Sequence, residues 1–170
     1  MLILLTNVIG RPVVSGQDGA PVGKVAAAVF DGARGKLVAY RLATSRHERF
    51  VSTVDVTAYL ENAVTVTNAG VAQAAEDLPV LGKVLLERTD PIGCRAVTES
   101  GKRLGRVKEC TFETDGHYLV KLHVSPPFWQ LTRRDLIIPR ERVLRFGRRQ
   151  VVVRYDGKVR SAGLEPETAP

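Results

Sequence analysis

The residues of this 170-residue chain whose types could do chemistry divide into those that would catalyse and those that would only bind. Gly19-Ala-Pro-Val-Gly23-Lys24 resembles a phosphate loop at first sight. Such a loop needs a glycine five residues before the second glycine and a Ser or Thr after the lysine, to shape the backbone nest and hold magnesium. Those positions are Asp18 and Val25, so the phosphate chemistry fails on both counts. His117 and His123 lie six residues apart and His47 sits in the charged run SRHER, with no Cys-x-x-Cys or His-x-x-x-His spacing to gather four ligands. The three histidines therefore read as solvated. Cys94 and Cys110 have no base beside them in sequence and read as two small buried apolar side chains in a reducing compartment. No Gly-x-Ser-x-Gly is present. The expectation is a protein that is not an enzyme and takes no metal or cofactor.

Residues suited to recognition stand out more clearly. In SPPFWQLTRRD, Ser125 to Asp135, two prolines stiffen the backbone ahead of Phe128 and the single tryptophan, Trp129, with Arg133 and Arg134 close behind. Trp and Arg are the residue types that most often carry binding energy at interfaces. The alternative is that these aromatics cover the end of their own domain. Arg145, Arg148 and Arg149 crowd a turn around Phe146-Gly147. The net charge of +7 lies wholly in the second half: residues 1–80 hold 7 Lys+Arg against 7 Asp+Glu, residues 81–170 hold 18 against 11. One-sided charge is the footprint of an anionic partner. An acidic protein is the leading expectation. RNA or the ribosome, an anionic membrane surface, and a second copy of the chain are the others. RNA ranks lower because no ladder of exposed aromatics accompanies the arginines for base stacking.

The elements that would hold these residues follow from an internal repeat. Sliding the chain by 82 residues lays Val22-Gly23-Lys24-Val25 on Leu104-Gly105-Arg106-Val107, Phe30 on Phe112, and Val38, Tyr40 and Leu42 on Val120, Leu122 and Val124. Apolar residues at every second position mean strands. An offset of 83 brings Ile9-Gly10 onto Ile92-Gly93, and one of 87 brings Val64-Thr65-Val66 onto Val151-Val152-Val153. The first copy should thus carry one extra residue between Ser15 and Ala20, and the second a five-residue insertion in or near Ser125 to Asp135. Gly10, Gly19, Gly93 and Gly101 belong to turns, and Gly23 and Gly105 to bulges or bends inside strands. Leu2–Thr6 and Val84–Arg88 read as first strands, Ser52–Val56 and Pro139–Val143 as short helical turns. Val71–Gly82 is alanine-rich and reads as a linker helix stopped by Pro79.

The Ile-Gly pair before a turn, the Gly-x-x-x-Gly-Lys/Arg-Val stretch, the strand near Leu37 to Leu42 and the closing valine run resemble the PRC-barrel family. That family includes the barrels of the photosynthetic reaction-centre H subunit and of a ribosome maturation factor. The resemblance implies an all-β chain of two tandem small PRC-type β-barrels joined by a short helical linker. The expected units are 1–69, 70–83 as linker, 84–156, and a disordered tail at 157–170. It also implies protein-protein or scaffold contacts instead of catalysis. MLILL at the start is read as a strand and not as a secretion signal, and the expected location is the cytoplasm.

Overall fold

The computed structural model describes residues 1–44, 47–78, 81–87, 90–130 and 134–157. The chain opens with β1 (Leu2–Leu4) and one helical turn, α1 (Leu5–Val8). Six strands follow: β2 (Pro12–Ser15), β3 (Pro21–Asp31), β4 (Lys36–Ala43), β5 (Arg49–Ser52), β6 (Val56–Tyr59) and β7 (Val64–Val66). A seven-residue helix, α2 (Leu81–Glu87), leads into β8 (Arg95–Thr98), β9 (Arg103–Glu113), β10 (Leu119–Ser125), β11 (Leu136–Pro139), β12 (Val143–Phe146) and β13 (Gln150–Val153). The protein is mostly β, with two sheets.

The sheets share one wiring. Their strand orders are β5-β4-β3-β2-β7-β6 and β11-β10-β9-β8-β13-β12, each antiparallel except for a single parallel pair, β2 with β7 and β8 with β13. The likeness extends to single bonds. The Gly10 N–H donates to Val25 O and the Gly93 N–H to Val107 O, both at 2.8 Å. Val13 faces Gly23 and Val64 in the first sheet, as Ala96 faces Gly105 and Val151 in the second. The expected length changes fall where the offsets place them: residues 16–20 against 99–102 after the first strand of each set, and 44–48 against 126–135 after the third.

Two expectations need correcting. Val84–Arg88 is not a strand: its described part, through Glu87, belongs to α2. Leu81 and Val84, three apart, bury one helical face against Val29, Ala39 and Phe50. The segment's counterpart β1 does pair as a strand, with β9, Leu2 opposite Glu113 and Leu4 opposite Thr111. The alanine-rich stretch forms two 3₁₀ turns, Ala69–Val71 and Ala75–Asp77, and the helix begins only after the proline in sequence. Among the described residues no ladder joins β5 to β6 or β11 to β12, because the 3₁₀ turns Thr53–Asp55 and Arg140–Arg142 occupy those corners. The tail expected to be disordered lies outside the described residues from 158 onward.

The two sheets dock through residues that the repeat makes equivalent. Lys36 forms an isolated antiparallel bridge with Tyr118, its own counterpart 82 residues on. Around it the Leu37 N–H donates to His117 O and the Leu119 N–H to Gly35 O, each at 2.9 Å. Phe30 and Phe112, also counterparts, meet edge to face with centroids 5.8 Å apart. Contact of each residue with its equivalent is the signature of a two-fold axis. Here the axis lies inside one chain, and a single buried cluster draws Val25, Phe30, Leu37 and Leu42 from one half and Val107, Phe112, Leu119 and Val124 from the other.

Candidate functional site

The first candidate surface grows from the ten-residue β10–β11 connection. Pro126 and Pro127 fix the exit from β10, and the 3₁₀ turn Phe128–Gln130 is closed by the Gln130 N–H donating to Pro127 O at 2.8 Å. Pro127 is buried, so the turn stands on a firm base. Its two rings face solvent: Phe128 is 79% exposed and Trp129 58%, against the alternative that they cap their own domain. They meet edge to face at 5.0 Å, and the Arg103 guanidinium of β9 lies 5.3 Å from the Trp129 ring centre. Such a stack holds an aromatic ledge in one orientation without hiding it. At the loop's far end Asp135 pairs with Lys108 and accepts from Ser125 Oγ at 3.0 Å; the Lys108 bond chiefly holds its carboxyl below the usual range. Arg134 is exposed, and Arg133 lies outside the described residues.

The second surface is a cleft of about 390 Å³ between the β3–β4 turn and the β12–β13 hairpin. Arg140, Arg145 and Arg148 line it together with Val143, Leu144, Phe146, Gly147, Gly32 and Ala33. Arg149 is exposed but does not line it; its carbonyl accepts from the Arg95 N–H at 3.0 Å. The structure thus brings Phe128 with Trp129, and Arg145 with Arg148, but the ledge and the cleft share no lining residue.

A third polar group was not expected. His117, read as solvated, is 8% exposed. Its Nε2 lies 2.9 Å from the Tyr59 hydroxyl, which lies 2.9 Å from the Tyr40 hydroxyl. The correction follows from the docking: His117 is the counterpart of Gly35, both have positive φ (61° and 66°), and the two-fold contact buries the turn. Burial, then Lys36, lowers the His117 pKa, opposed by Glu113 and Asp115; burial also pushes the Tyr59 hydroxyl up to about 12. With a neutral imidazole and two protonated hydroxyls, the hydrogen-bonded trio Tyr40–Tyr59–His117 carries no charge at neutral pH. A histidine whose folded pKa lies below its unfolded value stabilises fully above about pH 6.5 and loses that contribution as pH falls, because the unfolded chain takes the proton first. Asparagine tolerates positive φ. The difference in denaturation free energy between wild type and H117N is expected to shrink from pH 8 to pH 5.5, which urea titrations at the two pH values check.

Cys94 and Cys110 are buried free thiols, as expected, with burial raising both pKa values. His47 is exposed and His123 half-buried, 3.2 Å from Thr111 Oγ1. Gly10, Gly19, Gly93 and Gly101 take positive φ in their turns. The sequence reading missed Tyr40, Tyr59 and Arg103, and left Arg140, one of the clustered arginines, out of the candidate binding residues. For Tyr59 a signal existed, since the offset of 87 places it on Phe146, whose ring packs on Phe30 with centroids 4.8 Å apart.

No described helix is long and apolar enough to cross a membrane. In comparison with known families, residues 84–160 match the PRC-barrel domain. No curated protein matches the chain.

Proposed function

Residues 84–160 are a PRC-barrel domain, and from that premise we propose that the chain is a non-enzymatic adaptor. In this reading the first half is a diverged second copy that braces the domain, and the β10–β11 connection holds an acidic protein partner. The observation that carries the reading is the Phe128–Trp129 pair. Two large rings stand exposed side by side, on the insertion that distinguishes the second half from the first. Solvent exposure of this kind offers apolar area to a partner. Arg103 against the Trp129 ring supplies positive charge beside it, which selects for acidic residues opposite. A cytoplasmic location is part of the proposal.

Because Phe128 and Trp129 bear little of the fold, F128A/W129A is expected to unfold within about 0.5 kcal/mol of wild type. Proteins cross-linked to the native chain and identified by mass spectrometry should include an acidic partner that this variant loses by about tenfold or more. An unchanged partner set would overturn the proposal. Capture of RNA in its place, falling steeply between about 50 and 200 mM salt, would assign the surface to nucleic acid.

A further inference from the structure

We infer that the cleft between the β3–β4 turn and the β12–β13 hairpin is a binding site for a small phosphorylated molecule with an apolar body. Three arginines, Arg140, Arg145 and Arg148, line it, and among the described residues no Asp or Glu does. Asp31, next to the lining residue Gly32, pairs with Arg34. Guanidinium groups present planar forks of donors that match phosphate oxygens two at a time. Arg140 is set in place before any ligand arrives. Its Nη1 donates to Val143 O at 3.0 Å, and its side chain lies so close along Gly35 that a Cβ there would come within 2.9 Å of Nη2.

The other wall is apolar. Leu144 is 40% exposed at the mouth, and Phe146 is anchored edge to face on Phe30. A volume of about 390 Å³ suits a compact organic phosphate and falls in the range of small-molecule sites. The charge is no inheritance of the duplication. At the offset of 87 the first half has Thr53, Ala58 and Glu61 where the second has the three arginines. Structural requirements shared by the two copies therefore do not explain them. The first half supplies Ala33 to the opposite wall, so the cleft exists only while the halves are docked.

Calorimetric titration of the full chain with phenyl phosphate and with inorganic phosphate tests the assignment. Phenyl phosphate is expected to bind at millimolar concentration or below and more tightly than inorganic phosphate. R145Q/R148Q should weaken it at least tenfold, and A33E, which puts a carboxylate on the other wall, should do the same. K83Q/K102Q, which removes two exposed charges elsewhere, should leave binding unchanged. Circular dichroism establishes that each variant is folded; should R145Q/R148Q fail to fold, A33E decides. Sedimentation with phosphatidate vesicles, abolished by the same variants, would identify a lipid headgroup as the source of the phosphate, and no sedimentation a soluble one. Absence of phenyl phosphate binding, or equal loss in K83Q/K102Q, would overturn the site.

Discussion

G105A is expected to destabilise the protein by about 3 kcal/mol or more, enough to leave much of it unfolded at physiological temperature. Gly105 has φ +149°, outside the range L residues favour. A Cβ built there would lie 2.7 Å from the Ser125 carbonyl carbon and closer still to its oxygen, with Pro126 Cα at 3.0 Å. All three are backbone atoms, so no side chain can swing aside. The collision falls where β10 leaves the sheet for the aromatic ledge, so a tolerated G105A would also have to move Phe128 and Trp129. Its repeat partner provides the control. A Cβ on Gly23 meets Leu42 Cδ1 at 3.2 Å, the flexible end of a side chain, and Gly23 has no positive φ. G23A is expected to cost about 1 kcal/mol or less. Thermal denaturation of the two variants side by side measures the contrast. Equal losses would show that the second glycine serves one purpose in both copies.

F30A and F112A are each expected to cost about 3 to 5 kcal/mol, the ordinary range for emptying a fully buried phenylalanine site. Phe30 is 1% exposed and Phe112 0%, and each ring is the other's neighbour across the two-fold contact. The sharper expectation concerns cooperativity. Because one apolar cluster spans both halves, either substitution should lower a single transition seen alike by Trp129 fluorescence in the second half and by amide exchange in the first. The double variant should cost less than the sum, since the two cavities merge. Two separate transitions, one per half, would mean that the halves fold independently and the shared cluster is incidental.

What the sequence disclosed was whatever the duplication repeats. Offsets of 82, 83 and 87 located the main strands of each half, both loop-length differences and the corner turns, because alternation and glycine placement are local properties read twice. Hidden from it was everything set by the halves meeting. Nothing near Leu2 announces a partner at Glu113, so β1 was found while its sheet was not. The Leu81–Glu87 stretch was misread because repeat logic assigns it a strand, whereas Leu81 and Val84 have helical spacing and a helix-sized apolar seat on Val29 and Phe50. His117 was misread for the same reason: exposure depends on the docking, and the only hint was its alignment with a glycine. Among recognition residues, Trp129 and the arginines at 145 and 148 were legible as types out of place in the repeat. The roles of Arg140 and Arg103 were not legible, because a corner turn and a strand edge give no signal of what lies across from them.

The placement of β1 has a consequence for how the protein comes into being. Leu2 finds its partner across the ladder, Glu113, only beyond the whole of the first sheet. Until β9 is in place the amides of Leu2–Leu4 remain bonded to water. Pairing of β1 therefore closes the longest loop of any strand ladder in the fold and belongs to the later steps of folding.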